Sequence, residues 1–455
     1  MHQEYQWSTD WDRAIKSVED LDRANITSWL DAQRPKGPGY THLTLALASA
    51  RYIDHHGPYL GHGTFNGGPI LRGSSILDPA YQDLALLQTA TYVVDLLHNP
   101  NYGPYLLLEM APVSEPTLEA SRQAFLESLA AGDQVLLAEH RLIGLLRQSG
   151  SEVAPLLTYA GLVQYTENEH RILIIHRSLQ LLEDTNGWAV AEPILRAAVQ
   201  YLASRPGVVV PKAPHWPDGS LGLIQSHDPV DRNTVMNAVE SLIEAPFGTE
   251  PDRIRDFIVQ KINPATLYEA INIAASEILC RTQFDAHAVT GVHCIMDLLQ
   301  DPNTGLDTRN LAWLSGLSGS RIRRQKAGRS EWRTPLPVST HRDTLDALAE
   351  ILRHDADGLH AMQAAATYLV NGGDPTALTR VLMEVALTTA GPFDAIHNVK
   401  MLWGQLLETR RSRLPQESWR HLAAGARVVA QTAAVEHHHA EPILEMWAQM
   451  HPGTP

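Results

Sequence analysis

The sequence predicts an all-α protein: a single large multi-helix bundle-like domain with long irregular loops. Three observations carry this expectation. Apolar residues recur at three- and four-residue intervals along most of the chain. Helix start and stop signals punctuate those stretches. Alternating strand patterns are nearly absent, and Gly207-Val208-Val209-Val210 is the best short candidate.

Taken in order, helical patterning covers 9–32, 40–56, 79–98, 116–148, 167–184, 188–204, 232–245, 263–282 and 284–300. It resumes at 341–353, 358–371, 375–390, 393–410 and 416–433. Asp78-Pro79 and Glu115-Pro116 set proline in a first turn, where its missing N–H costs nothing, and Asn371-Gly372-Gly373 reads as a helix end. Three irregular stretches, 57–78, 205–231 and 315–340, interrupt the helices. None has the composition of a flexible linker, so one domain over 1–455 is expected, with 1–38 as a candidate N-terminal extension. No fixed repeat period stands out.

Composition excludes several classes. Hydrophobic residues make up 44%, enough for a substantial core. No stretch reaches the roughly 18 consecutive apolar residues that span a bilayer. The start, MHQEYQWSTDWDRAIKSVED, lacks a basic segment followed by an apolar run, so no secretory signal is expected. The two cysteines, Cys280 and Cys294, form no disulfide framework and fit a reducing, cytoplasmic compartment. A net charge of -15 argues against nucleic acid as partner, and the one basic cluster, Arg321 to Lys326, reads as a solvated loop. No membrane partner is expected, and the oligomeric state is left open.

The sequence carries no phosphate-loop, dinucleotide-binding, nucleophile-elbow or HEXXH signature. What stands out is 22 histidines, imidazole being the commonest metal ligand. His42 opens YTHLTLALASARY on a face with Leu45, Ala46 and Ser49, small neighbours that leave room for a metal or ligand. His55, His56 and His62 lie at that helix's end and in the following glycine-rich loop. His170 and His176, six residues apart, point to different faces of one helix. His170 shares its face with Leu173 and Ile174, and Glu167 lies just before it. His287 and His293 lie in FDAHAVTGVHCIMDLL. Each of these also reads as an ordinary hydrogen-bonded core or surface histidine. The run His437-His438-His439 is expected away from any centre, because consecutive helical residues point in different directions.

The segment GPFDAIHNVKMLWGQLL is the most informative. Lysine occurs only six times in the chain, and Lys400 sits here in mid-helix. His397 and Ile396 lie one turn before it, Trp403 and Gly404 one turn after, and no carboxylate is in local reach. A buried ammonium without a partner costs several kcal/mol and tends to lose its proton. Lys400 therefore reads as a nucleophile, a general base or a carbamate former; as a snorkelling or distantly paired lysine it is unremarkable chemically. Asp394 is placed to orient His397. Trp216 and Trp332, in the long loops, are candidate pocket groups.

Together, Thr41-His42-Leu43 opening an early helix, His170 before an apolar helix, H-A-V-T-G-V-H at 287–293 and H-x-x-K at 397–400 resemble the questin oxidase-like family. These are oxygenases of aromatic polyketide pathways, and the likeness spans roughly 40–410. His42 departs from the family pattern in following threonine rather than asparagine. The resemblance implies non-haem Fe(II) held by four histidines, His42, His170, His287 and His397, and by a carboxylated Lys400, with His56 and His293 in reserve. It further implies dioxygen and a polycyclic, anthraquinone-like aromatic as substrates in secondary metabolism. Lys400 and His397 are then the catalytic candidates. Ring cleavage and Baeyer–Villiger insertion both stay open, as does a need for NADPH. The competing expectations are a helical metal-dependent hydrolase and a non-enzymatic helical interaction protein. Against the hydrolase, the only His-Asp dipeptides are His227-Asp228, in a loop, and His354-Asp355, near a helix end.

Overall fold

In a computed structural model the chain is described over 9–52, 62–99, 107–165, 169–209, 216, 222–224, 228–246, 248–281, 286–317 and 344–452. Among these residues twenty α-helices account for nearly all regular structure, as an all-α fold requires. The rest among them is two short 3-10 helices, Arg34–Lys36 and Gly187–Val190, and a pair of two-residue strands, Gln164–Tyr165 and Val208–Val209, the latter within the stretch singled out as strand-like. No helix is long and apolar enough to cross a membrane among the described residues.

The chain divides into two compact units. The first draws on Met1–Gln164, Leu173–Val208 and Pro442–Pro455, the second on Tyr165–Ile172 and Val209–Glu441.

The centre of the first unit is helix Pro38–Tyr52. Leu43, Leu45, Ala46, Leu47, Ala48 and Ala50 are buried, and so are Thr41, His42, Thr44 and Ser49, so the helix is enclosed on every side. Helices Thr9–Glu19, Gly67–Ser74, Pro79–Leu97 and Ala191–Ser204 pack on it. Leu118–Ala131 and Val135–Val163 pair as a hairpin, and a buried ion pair, Arg196 Nε to Glu139 Oε2 at 2.9 Å, ties the second of them to Ala191–Ser204.

Several boundaries differ from the periodicity reading, each for a local reason. The 9–32 stretch is two helices, Thr9–Glu19 and Ile26–Gln33, because the Asp22 carboxylate accepts the backbone N–H of Ala24 and Asn25 and turns the chain. The 116–148 stretch is split at Gly132, whose φ of 77° ends the first helix in the left-handed region, and its predicted end falls beside the non-helical Ser149. The 57–78 stretch, read as irregular, contains helices His62–Phe65 and Gly67–Ser74, both wholly or mostly buried. There tertiary packing overrides the low helix propensity of glycine.

The second unit is organised around Pro264–Leu279, in which every residue from Ala265 to Leu279 is buried. It packs on Arg232–Glu244 and on His287–Gln300, which packs on Pro392–Arg411, which in turn packs on Pro375–Thr389. Helices Glu250–Val259 and Leu306–Ser315 were not foreseen from periodicity.

Candidate metal centre

Three of the sequence-predicted ligands belong to the second unit and come together there. His170 is the first residue of helix His170–Asp184, His287 the first of His287–Gln300, and His397 lies in the second turn of Pro392–Arg411. The His170 and His287 rings are 4.9 Å apart between centroids, and those of His287 and His397 5.5 Å. A carboxylate joins them. Glu169, 2% exposed, sets Oε1 3.8 Å from His287 Nε2, and ligand atoms of Glu169, His170 and His287 all lie within 4.8 Å of one another. That separation suits donors arranged around one ion rather than donors bonded to each other, because metal–ligand bonds of about 2 Å place neighbouring ligand atoms roughly 3–4 Å apart.

His397 is held by its own helix. Its Nδ1 is 2.6 Å from the Phe393 carbonyl oxygen, one turn earlier, and the Phe393 ring lies 4.1 Å from the imidazole. A carbonyl only accepts, so Nδ1 carries the proton and Nε2 presents its lone pair. The Phe393 carbonyl thus orients the ring through Nδ1.

Helical spacing does not mark Glu169; the acidic residue it points to, Glu167, lies outside the described residues. The signal that could have found Glu169 is Gly291. A Cβ there would come within 2.1 Å of the Glu169 Cβ, so only glycine lets helix His287–Gln300 approach this carboxylate.

Lys400 follows His397 by one turn and is fully buried, 0% exposed. The last predicted ligand, His42, belongs to the first unit, on Pro38–Tyr52, 2% exposed. His56 and Trp332 lie outside the described residues. His437, His438 and His439 are exposed on Trp419–Met450. Trp216 is buried edge-on against Trp313, 5.8 Å between ring centroids.

The reserve ligand His293 is engaged elsewhere. Its Nδ1 is 2.7 Å from Glu408 Oε1, while Tyr268 Oη and Asn272 Nδ2 donate to Glu408 Oε2 at 2.6 and 2.9 Å. Arg411 pairs with both Glu408 and Asp297. Burial alone would raise the Glu408 carboxyl. The hydrogen bond and charge of His293, with Arg411 beside it, outweigh burial and hold it below the usual carboxylate range. His293, Asp297 and Glu408 could geometrically hold a cation, but the Arg411 guanidinium already occupies the two carboxylates. This cluster is an internal ion network bracing Pro264–Leu279, His287–Gln300 and Pro392–Arg411.

Neither family models, curated proteins nor solved structures provide a match for this chain.

Proposed function

We propose that the second unit is a metalloenzyme centre and that the protein is a non-haem iron oxygenase. The observation that carries the reading is the convergence of Glu169, His170 and His287, with His397 beside them, inside a helical bundle. Histidines with a single carboxylate are the donor set of non-haem ferrous oxygenases, and bundle cores are common hosts for such sites. Iron held there supplies the one-electron chemistry that dioxygen needs to react with an aromatic ring.

The protein's own contribution is positional. Glu169 places a carboxylate among imidazoles, a donor set that favours a divalent cation. The Phe393 carbonyl fixes the tautomer of His397. Lys400, as a carbamate, would bring an anionic oxygen from the same helix as His397; this part of the reading, like the polycyclic aromatic substrate, comes from the family resemblance.

The test is elemental analysis of protein purified without chelator, repeated after anaerobic loading with ferrous iron. One iron per chain is expected, falling at least tenfold in Glu169→Ala and His287→Ala at unchanged helix content. Stoichiometric zinc that iron does not displace would favour the hydrolase instead. A chain that takes up no metal would return the protein to the class of helical interaction proteins.

A further inference from the structure

One turn after His287, helix His287–Gln300 carries Thr290, which is 2% exposed. Its Oγ1 is buried and has no hydrogen-bond partner among the described residues. Other helical threonines of this unit spend their proton on the carbonyl four residues back. Thr379, Thr388, Thr409 and Thr432 all do so, at 2.7–2.8 Å. For Thr290 that acceptor would be the Ala286 carbonyl, which instead takes the Thr290 backbone N–H at 3.2 Å. A buried hydroxyl left unmatched is a net cost to the fold, which a bound acceptor can recover.

Helix packing fixes where this hydroxyl lies. Helix His287–Gln300 runs beside Pro392–Arg411 in the same direction. The His287 ring meets the His397 ring at 5.5 Å, and six residues on, His293 Cδ2 would lie 2.9 Å from a Cβ at Gly404. Thr290 is three residues from either histidine, so it is turned about 60° from each and stands level with Lys400, midway between His397 and Gly404. On its other side the next residue, Gly291, backs directly onto Glu169. Thr290 therefore occupies the wedge bounded by His287, His397, Lys400 and Glu169. The centre is open to small molecules, since the His287 side chain keeps 17% of its exposure.

We propose that Thr290 is the hydrogen-bond donor of this centre: its hydroxyl holds the outer electronegative atom of a small ligand bound at the metal. The inference rests on the reading of the centre as an iron site. The division of labour follows from the chemistry. Imidazole nitrogens and the Glu169 carboxylate give lone pairs to a cation, whereas an uncharged O–H gives a proton to what the cation binds.

Anaerobic titration of the iron-loaded protein with nitric oxide tests it, because nitric oxide takes an open position on ferrous iron and its oxygen accepts a hydrogen bond. Thr290→Val keeps the shape and removes the proton. It should bind nitric oxide about tenfold more weakly at unchanged iron content. Thr290→Ser, which keeps the hydroxyl, should stay within roughly threefold of wild type. A second readout needs no metal. Iron-free Thr290→Val should melt about 2 °C or more above iron-free wild type, because it discards an unmatched buried hydroxyl. Undiminished nitric oxide affinity in Thr290→Val, or a lower melting temperature of its iron-free form, would overturn the inference and leave the iron centre standing. A wild-type chain that takes up no iron would overturn both.

Discussion

At the scale of single residues, Lys400 and Gly291 make the sharpest expectations. Lys400 was legible because lysine is rare in the chain and this one sits in an apolar helical stretch; the structure buries it fully. If its role is an anionic carbamate, Lys400→Ala and Lys400→Arg should both lose bound iron and turnover, since neither supplies an oxygen. Lys400→Glu should keep part of the iron, on a shorter arm. Full iron content and activity in the arginine variant would eliminate the carbamate. Gly291→Ala pushes a methyl into Glu169. Such overpacking should cost about 1–3 kcal/mol in a denaturant titration. The displaced carboxylate should also weaken iron binding about tenfold or more, read by competition with a chelator. Iron affinity unchanged in this variant would remove Glu169 from the ligand set. Glu169 itself escaped the sequence reading because a carboxylate flanked by polar residues carries no periodic signal; only the three-dimensional approach of another helix marks it.

At the scale of elements, three helices of the second unit are braced through one buried carboxylate. Glu408 gathers His293, Tyr268, Asn272 and Arg411. Removing one partner of a buried charged network leaves the others uncompensated, so Glu408→Ala should cost on the order of 3–5 kcal/mol. The Glu408→Gln variant, which keeps the shape but not the charge, should lie between it and wild type in thermal unfolding. A loss under about 1 kcal/mol for Glu408→Ala would show that the network does not hold these helices. The helices themselves were readable from periodicity. Their breaks were not, because the Asp22 turn, the Gly132 reversal and the Ser149 break rest on local hydrogen bonds and dihedrals that an apolar pattern averages over. The buried glycine-rich helices after His62 were invisible for the opposite reason: nothing in their local propensity favours helix, and packing alone forms them.

At the scale of the whole molecule, each unit buries a neutral histidine, and this sets the response to acid. Burial pushes His42 in the first unit and His421 in the second down to about 4. His421 Nδ1 shares a 2.8 Å hydrogen bond with Ser276 Oγ. Unfolded histidine takes up its proton near pH 6.5. Between that value and about 4 the unfolded chain binds protons that the folded chain refuses, so stability falls as pH drops through this window. Glu408 adds to the loss at lower pH, since a carboxylate held below its unfolded value stabilises only while it stays ionised. The melting temperature should therefore be flat above about pH 7 and decline steadily below 6.5, with a shallower decline in His421→Gln. A melting temperature constant from pH 7 to 4.5 would contradict the neutral state of these imidazoles.

The order of the chain through the two units has a consequence for biosynthesis. Helix Trp419–Met450 carries the chain back to the first unit at Pro442. Trp447 Nε1 then donates to the Ala80 carbonyl at 2.8 Å, and His451 reaches Asp83. A ribosome that has made the first two hundred residues has therefore not yet supplied the last wall of their core. The first unit waits, partly open, for residues 442–452 while the whole of the second is made. During that interval the exposed apolar surface belongs to the segment made first, and that is where a chaperone would be needed.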